Sequence, residues 1–321
     1  MRRAVVDIGT NSTRLFLAEV DDGRVGDVLE RRTVVTRLGA GVDADGRLAE
    51  DAKERVFAVL EDYRALIDRH GGARAVAVMT SAVRDAANGA QFAGVVGARW
   101  GFEPHILTGD EEARLTFLGA TSQRDAGDHT PTLVVDIGGG STEFVIGIGH
   151  EVTYHVSNQA GVVRQTERHL HSDPPTVAER EALARDVRGV FAAGVPEERR
   201  RSVAHAIGVA GTATSMASIA QKLEPYNPDK VEGYIVSEAE CRRILERLAS
   251  LTLAERREVR GLHPDRASTI VAGIIILLET LSLFGLSSFE VSENDILRGA
   301  ALGLFQGEGA GGPDRGRDRH C

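Results

Sequence analysis

Short apolar runs closed by glycine-rich turns alternate along this chain with longer stretches in which apolar residues return every third or fourth position. Such a pattern predicts strands interleaved with amphipathic helices. Ala4-Val5-Val6 and Leu133-Val134-Val135 read as buried strands, and each meets a glycine-rich turn and then a second apolar stretch, Leu15-Phe16-Leu17 and Phe144-Val145-Ile146-Gly147. A strand, turn, strand unit therefore occurs twice. After the first unit, Val56, Val59, Leu60, Tyr63, Leu66 and Ile67 share one helical face and predict a helix over residues 49–70 that stops at Gly71-Gly72. Strands are predicted at 75–79 and 104–107, a helix capped by Thr80-Ser81 at 82–100, and a helix from Glu111 to about residue 123. After the second unit come predicted helices at 163–171 and 176–193 and a strand at 206–209. A helix then runs from the turn Gly211-Thr212-Ala213-Thr214 to Lys222, and Ser237 with Glu240 opens another as a capping box. The apolar stretch 270–278 is well short of the roughly 20 residues that span a bilayer and reads as a buried core helix.

Both halves thus run from strands to helices, which predicts two α/β domains of related topology with a cleft between them. The polar segment 123–131 is a linker. The expected domains are 1–124 together with 295–306, and 130–294; the Gly-, Asp- and Arg-rich segment 307–321 is expected to be disordered.

Composition narrows the function classes. With 321 residues, 42% apolar and 26% charged, the chain is that of a globular protein large enough for two cores. A formal net charge of -9 argues against nonspecific nucleic-acid binding, so any polyanion must meet a local basic site. Only Lys53, Lys222 and Lys230 are lysines among 38 basic residues. Two cysteines, Cys241 and Cys321, are too few for a disulfide framework, and Asp7 and Asn11 interrupt the first apolar run too early for a signal peptide. A cytoplasmic protein without membrane association is expected.

The chemistry concentrates in the repeat. Asp7-Ile8-Gly9-Thr10-Asn11-Ser12-Thr13 recurs as Asp136-Ile137-Gly138-Gly139-Gly140-Ser141-Thr142, five of seven positions identical and 129 positions apart. Gly and Asn tolerate positive φ, so Gly9 to Ser12 and Gly138 to Ser141 are expected to turn successive backbone N–H groups to one side as anion nests. Asp7 and Asp136 at the loop heads suit Mg²⁺, which takes carboxylates, waters and phosphate oxygens. Glu143 is placed to join Asp136 in holding metal or orienting water. Two adjacent carboxylates, Glu111 and Glu112, open a helix, which dipole complementarity alone would also explain. Arg84, in the first turn of a helix after a strand, suits a two-bond phosphate contact or an ion pair with Asp85 or Glu111. Gly211 and Thr212 lie in a third strand-turn-helix junction, a further candidate phosphate contact.

Asp7-Ile-Gly-Thr-Asn-Ser, Thr80-Ser-Ala-Val-Arg84, Gly109-Asp-Glu-Glu-Ala-Arg114, Asp136-Ile-Gly-Gly-Gly-Ser-Thr-Glu143 and Val209-Ala-Gly-Thr-Ala together, in this order, resemble the exopolyphosphatase and guanosine pentaphosphate phosphohydrolase family. The resemblance implies the fold of the actin, sugar kinase and Hsp70 superfamily: two duplicated actin-like (ribonuclease H-like) α/β domains with an interdomain cleft. It also implies Glu112 as the general base, Asp7, Asp136 and Glu143 on the metal side, and Arg84 with the two loops on the substrate phosphates. Mg²⁺ or Mn²⁺ would be the cofactor and a homodimer the assembly.

The function expected is hydrolysis of the terminal phosphoanhydride of inorganic polyphosphate, with preference for short chains because this chain resembles the family's short, two-domain members. Alternatives are hydrolysis of guanosine pentaphosphate, a noncatalytic alarmone-binding regulator, and an ATP-dependent kinase or chaperone of the same superfamily. The Glu-Glu-Ala-Arg helix start argues against the last.

Overall fold

The computed structural model describes residues 1–21, 23–125 and 127–305, apart from the side chains of Asp43 and Ala44. The segment 307–321, expected to be disordered, lies outside the described residues. One five-stranded sheet holds β1 (Arg2–Ile8), β2 (Ser12–Asp21), β3 (Arg24–Val35), β4 (Arg74–Met79) and β5 (Glu103–Ile106) in the order β3-β2-β1-β4-β5. A six-stranded sheet holds β6 (Thr132–Ile137), β7 (Thr142–Ile148), β8 (Glu151–Asn158), β9 (His205–Val209), β10 (Ile235–Ser237) and β11 (Ser288–Val291) in the order β10-β11-β9-β6-β7-β8. In the first, β1 pairs antiparallel with β2, β2 antiparallel with β3, and β4 and β5 add in parallel on the other side. The second repeats these directions with β6, β7, β8, β9 and β11 and adds β10 antiparallel at its edge. The duplication visible in seven residues therefore extends to the whole sheet.

The central strands are the apolar runs picked out by pattern. Residues 75–79 of β4 and 132–135 of β6 are buried throughout, as strands covered on both faces must be. Four strands were not anticipated, β3, β8, β10 and β11. β3 is an outer strand whose mostly exposed or half-buried sequence, RVGDVLERRTVV, shows no regular apolar alternation. β8, an outer strand of the other sheet, does alternate through Val152, Tyr154 and Val156, a signal the sequence offered. β10 and β11 have only three and four residues, too few for a pattern. The helix expected over 82–100 is broken instead into Ser81–Asp85 and Gly89–Trp100. Tertiary contacts override the helical preference of its alanines: Asn88 bonds Leu48 N at 2.9 Å and Leu48 O at 3.0 Å, and a Cβ on Gly89 would lie 1.8 Å from Val83 O.

The helix Ile270–Phe284 is apolar almost all round and buried in the core beside the second sheet. No helix among the described residues is long and apolar enough to cross a membrane.

The helix Gly109–Thr121 lies between the sheets. Ala113, Phe117 and Ala120, spaced four and three apart, pack on Val134, Val145, Ile207 and Val209, while Leu115 packs on Val5, Phe16, Val76 and Val78. Gly147 leaves room for the Phe117 ring, since a Cβ there would sit 2.4 Å from its Cζ. The last helix, Ile296–Gly303, covers Leu115 through Ile296, Leu297 and Ala300.

These two helices cross at glycines. A Cβ on Gly119 would fall 1.9 Å from Asp295 O, and one on Gly299 would fall 1.7 Å from Leu115 O. Neither glycine has a positive φ, so the requirement is space alone. Gly299→Ala is expected to cost about 1–3 kcal/mol through overpacking, read as a lower urea midpoint at unchanged m-value. An unchanged midpoint would show that the crossing tolerates a methyl group.

Candidate active site

The two repeated turns face each other across a cleft between the sheets. Each is closed by the same bond, Gly9 N to Ser12 O at 3.0 Å and Gly138 N to Ser141 O at 2.9 Å. A Cβ on Gly139 would sit 3.2 Å from Asn11 Cβ, so the loops approach to contact distance. Gly9, Thr10, Asn11 and Ser12 line one wall, Gly138, Gly139, Gly140 and Ser141 the other, and Gly211 and Thr212 contribute from the third turn. One expectation fails here: Gly9, Gly138, Gly139 and Gly140 do not have positive φ. At Gly9 and Gly138 the reason is space, since a Cβ would lie 3.3 or 3.2 Å from the carbonyl oxygen closing its own turn. The amides of Thr10, Asn11, Gly139 and Gly140 nonetheless have no acceptor among the described residues. The loop carbonyls are occupied: Asn11 O accepts from Thr36 N and Arg37 N, and Gly139 O from Val163 N. Free donors thus line a cavity whose acceptors are spoken for, the polarity an anion needs.

Four carboxylates reach the same cleft: Asp7, Glu112, Asp136 and Glu143. Strand register sets three of them. Asp7 stands opposite Arg14 in the β1–β2 pair, and Asp136 stands opposite Glu143 at the equivalent position of the β6–β7 pair. The first copy neutralises itself: Arg14 Nε donates to Asp7 Oδ2 at 2.8 Å, and Arg14 Nη1 pairs with Asp295. Asp7 Oδ1 remains buried without a hydrogen-bond partner. The second copy places two acids side by side. Glu143 Oε1 accepts from Ser141 and from Ser157, while Asp136 has no hydrogen bond or ion pair among the described residues.

Glu111 and Glu112 separate into two roles. The helix begins at Gly109, two residues before the expected start, with Thr108 as N-cap; Glu111 closes a reciprocal capping box with Thr108, whose N–H holds its carboxyl below the usual range. Glu112 points into the cleft. Its Oε2 accepts from Arg84 Nη1 at 2.9 Å, and its Oε1 has no donor among the described residues. Arg84 also donates to Leu107 O at 2.9 Å and lies 3.7 Å from Asp85, and it is not among the residues lining the cleft. Its guanidinium pairs with Glu112, a partner not among the expected Asp85 and Glu111, and lies near Asp85 as well.

Sequence reading missed two cations. Arg14 stands seven residues after Asp7, where Glu143 stands after Asp136; that mismatch in the repeat is a legible signal. Arg266 lines the cleft, yet its guanidinium has no hydrogen bond or ion pair among the described residues. Burial and the nearby Arg14 push its pKa down, as they do for a cation lacking its anion.

Burial drives the carboxyls upward. Asp136 is pushed up to about 7 by burial, with Asp295, Glu112 and Asp7 adding repulsion against the pull of Arg14. Glu143 is pushed up to about 8 by burial and then by Glu112 and Asp136. Glu112 is raised by burial against the opposing bond from Arg84, and Asp7 by burial against Arg14. For Asp295, burial acts upward but Arg14, Arg31 and the Leu297 N–H prevail and hold it low. Raised carboxyls bind protons more tightly folded than unfolded, so their contribution to stability is present below the unfolded value and lost as pH rises through about 7 to 8. In metal-free buffer, Glu143→Gln is therefore expected to raise Tm relative to the parent at about pH 9 and to leave it unchanged at about pH 5. A variant melting lower at both would contradict the charge balance described.

Among the described residues no three His, Cys, Asp or Glu side chains form a ready metal cage. The carboxylate oxygens left open in the cleft are those of Asp136, Asp7 Oδ1, Glu112 Oε1 and Glu143 Oε2.

The chain matches the model of the Ppx/GppA phosphatase family over residues 16–304. Exopolyphosphatase 2 of Mycobacterium tuberculosis is 39% identical, covering 94% of this chain and 98% of that protein. The crystal structure of the Aquifex aeolicus Ppx/GppA family member superposes with a TM-score of 0.80 at 32% identity, over 94% of this chain and 96% of that one. That of an exopolyphosphatase from Cytophaga hutchinsonii gives 0.84 at 27% identity, over 94% and 98%. The architecture is accordingly the two-domain actin-like α/β fold, with the cleft between its duplicated halves. With its facing amide-lined turns and its carboxylates, this chain belongs to the Ppx/GppA phosphatase family and is a phosphoanhydride hydrolase.

Proposed function

We propose that the chain removes the terminal phosphate of inorganic polyphosphate by Mg²⁺-dependent attack of water, releasing orthophosphate. The observation that carries this reading is the meeting of Glu112, with one carboxylate oxygen open, and two walls of unpaired amides in one cleft. The amides of the two turns and the unpaired Arg266 would bind the terminal phosphates. Glu112 Oε1 would take a proton from a water in line with the scissile bond while Arg84 holds Oε2, and the raised pKa of Glu112 strengthens it as a base. Asp136, Glu143 and Asp7 Oδ1 fit Mg²⁺: an orphaned buried oxygen and unpaired acids without a complete cage match an ion that keeps waters and binds phosphate oxygens. Mn²⁺ prefers the same oxygen donors. When bound, the ion would neutralise charge on the transferring phosphoryl group. The exopolyphosphatase name of the Mycobacterium tuberculosis relative supports polyphosphate as the substrate.

The test is orthophosphate release from tripolyphosphate, long-chain polyphosphate and guanosine pentaphosphate, side by side, with Mg²⁺ and with EDTA. The expected result is the highest kcat/KM on a polyphosphate and loss of turnover in EDTA. A dominant rate on guanosine pentaphosphate would replace the substrate, and undiminished turnover in EDTA would remove the metal.

A further inference from the structure

We infer that Gly211 is a positioning residue whose missing side chain provides the seat for the Arg266 guanidinium, so that the third glycine turn contacts substrate phosphates through Arg266. This rests on the phosphate-binding reading of the cleft above. A Cβ on Gly211 would lie 1.2 Å from Arg266 Nη1, 2.1 Å from its Cζ and 2.5 Å from Nη2, which places the guanidinium in the volume a side chain would fill. Backbone conformation does not explain the glycine. The left-handed residue at this junction is Ala210, with φ of 60°, whereas Gly211 has no positive φ. A glycine kept for conformational freedom belongs at 210; at 211 only space is gained.

The guanidinium seated there is a cation without an anion. Arg14, across the cleft, is neutralised by Asp7 and Asp295, whereas Arg266 bonds to nothing among the described residues. Tyr226, Glu293 and Asp265 lie near enough to influence its charge without forming a bond to it. Gly211 lies in the first turn of the helix Ala210–Gln221, where Ser215 Oγ donates back to Gly211 O at 2.6 Å. A methyl group at 211 would expel the guanidinium from the cleft while leaving the turn its own φ.

The test is a double-mutant cycle on binding of tripolyphosphate, measured by calorimetry in magnesium buffer with Glu112→Gln in every protein so that the probe is not consumed. Gly211→Ala and Arg266→Ala are each expected to raise Kd about 10- to 100-fold, the loss of a charge-assisted contact, and the double variant to bind no more weakly than Arg266→Ala alone. Unchanged binding by either single variant would overturn the inference. So would a double variant weaker than Arg266→Ala by the full Gly211→Ala factor, since Gly211 would then act through its own backbone. If Gly211→Ala melts low, adding Arg266→Ala should restore Tm; a double variant melting equally low also overturns it. Binding without hydrolysis by the parent protein would defeat the proposed reaction but leave this cycle readable.

Discussion

Glu112→Gln is expected to lower kcat for phosphate release by about 10²- to 10⁴-fold, the usual contribution of a positioned general base, while substrate affinity stays within about threefold. The reasoning is geometric. Glu112 is held at Oε2 by Arg84 and has no donor to Oε1, so its free oxygen is aimed into the cleft by a bond that glutamine can keep through its own carbonyl. The substitution removes basicity and leaves shape. Single-turnover phosphate release and calorimetric binding separate the two effects. Retained kcat would remove Glu112 from the chemistry; weakened binding at normal kcat would make it a phosphate-side residue. Glu111→Gln is the contrasting control, since that carboxylate caps its helix and is expected to affect stability more than rate.

Arg14→Met is expected to destabilise the fold by about 3–5 kcal/mol near neutral pH, the cost of leaving buried carboxylates without their cation. Asp7 and Asp295 are 4% and 2% exposed, and Arg14 serves both. The loss should shrink in acid, because without Arg14 both carboxyls rise and protonation then relieves the uncompensated charge. Urea denaturation at two pH values checks both statements. A loss below about 1 kcal/mol, typical of an exposed pair, would show that solvent reaches these groups. Asp295 also caps the last helix through the Leu297 N–H at 3.0 Å, so the same ion pair ties that helix to the head of the first loop.

Much of the site was legible because its parts are local. Asp7, Asp136 and Glu143 sit in or beside a repeated seven-residue string, and Glu112 follows a helix-capping signature, so short-range chemistry marks them. Arg84 was legible as a functional position, but its partner was not, because Glu112 approaches from a helix 28 positions on. Gly211 was legible as a glycine after a strand, but the approach of Arg266 to it was not, because that arginine lies far along the chain. The outer strand β3 left no regular apolar alternation to read, whereas β8 carries one in Val152, Tyr154 and Val156.

Sequence alone determined the duplicated strand-turn-strand units, the buried central strands and the identity of the acidic groups, because periodicity, turn chemistry and repetition are properties of neighbouring residues. Tertiary structure alone decided which acids are neutralised and which stand open. The charge balance of a buried carboxylate is set by what folding brings within a few ångströms, for Asp7 the Arg14 guanidinium, which is shared with an aspartate 281 positions from that arginine, and for Asp136 another acid.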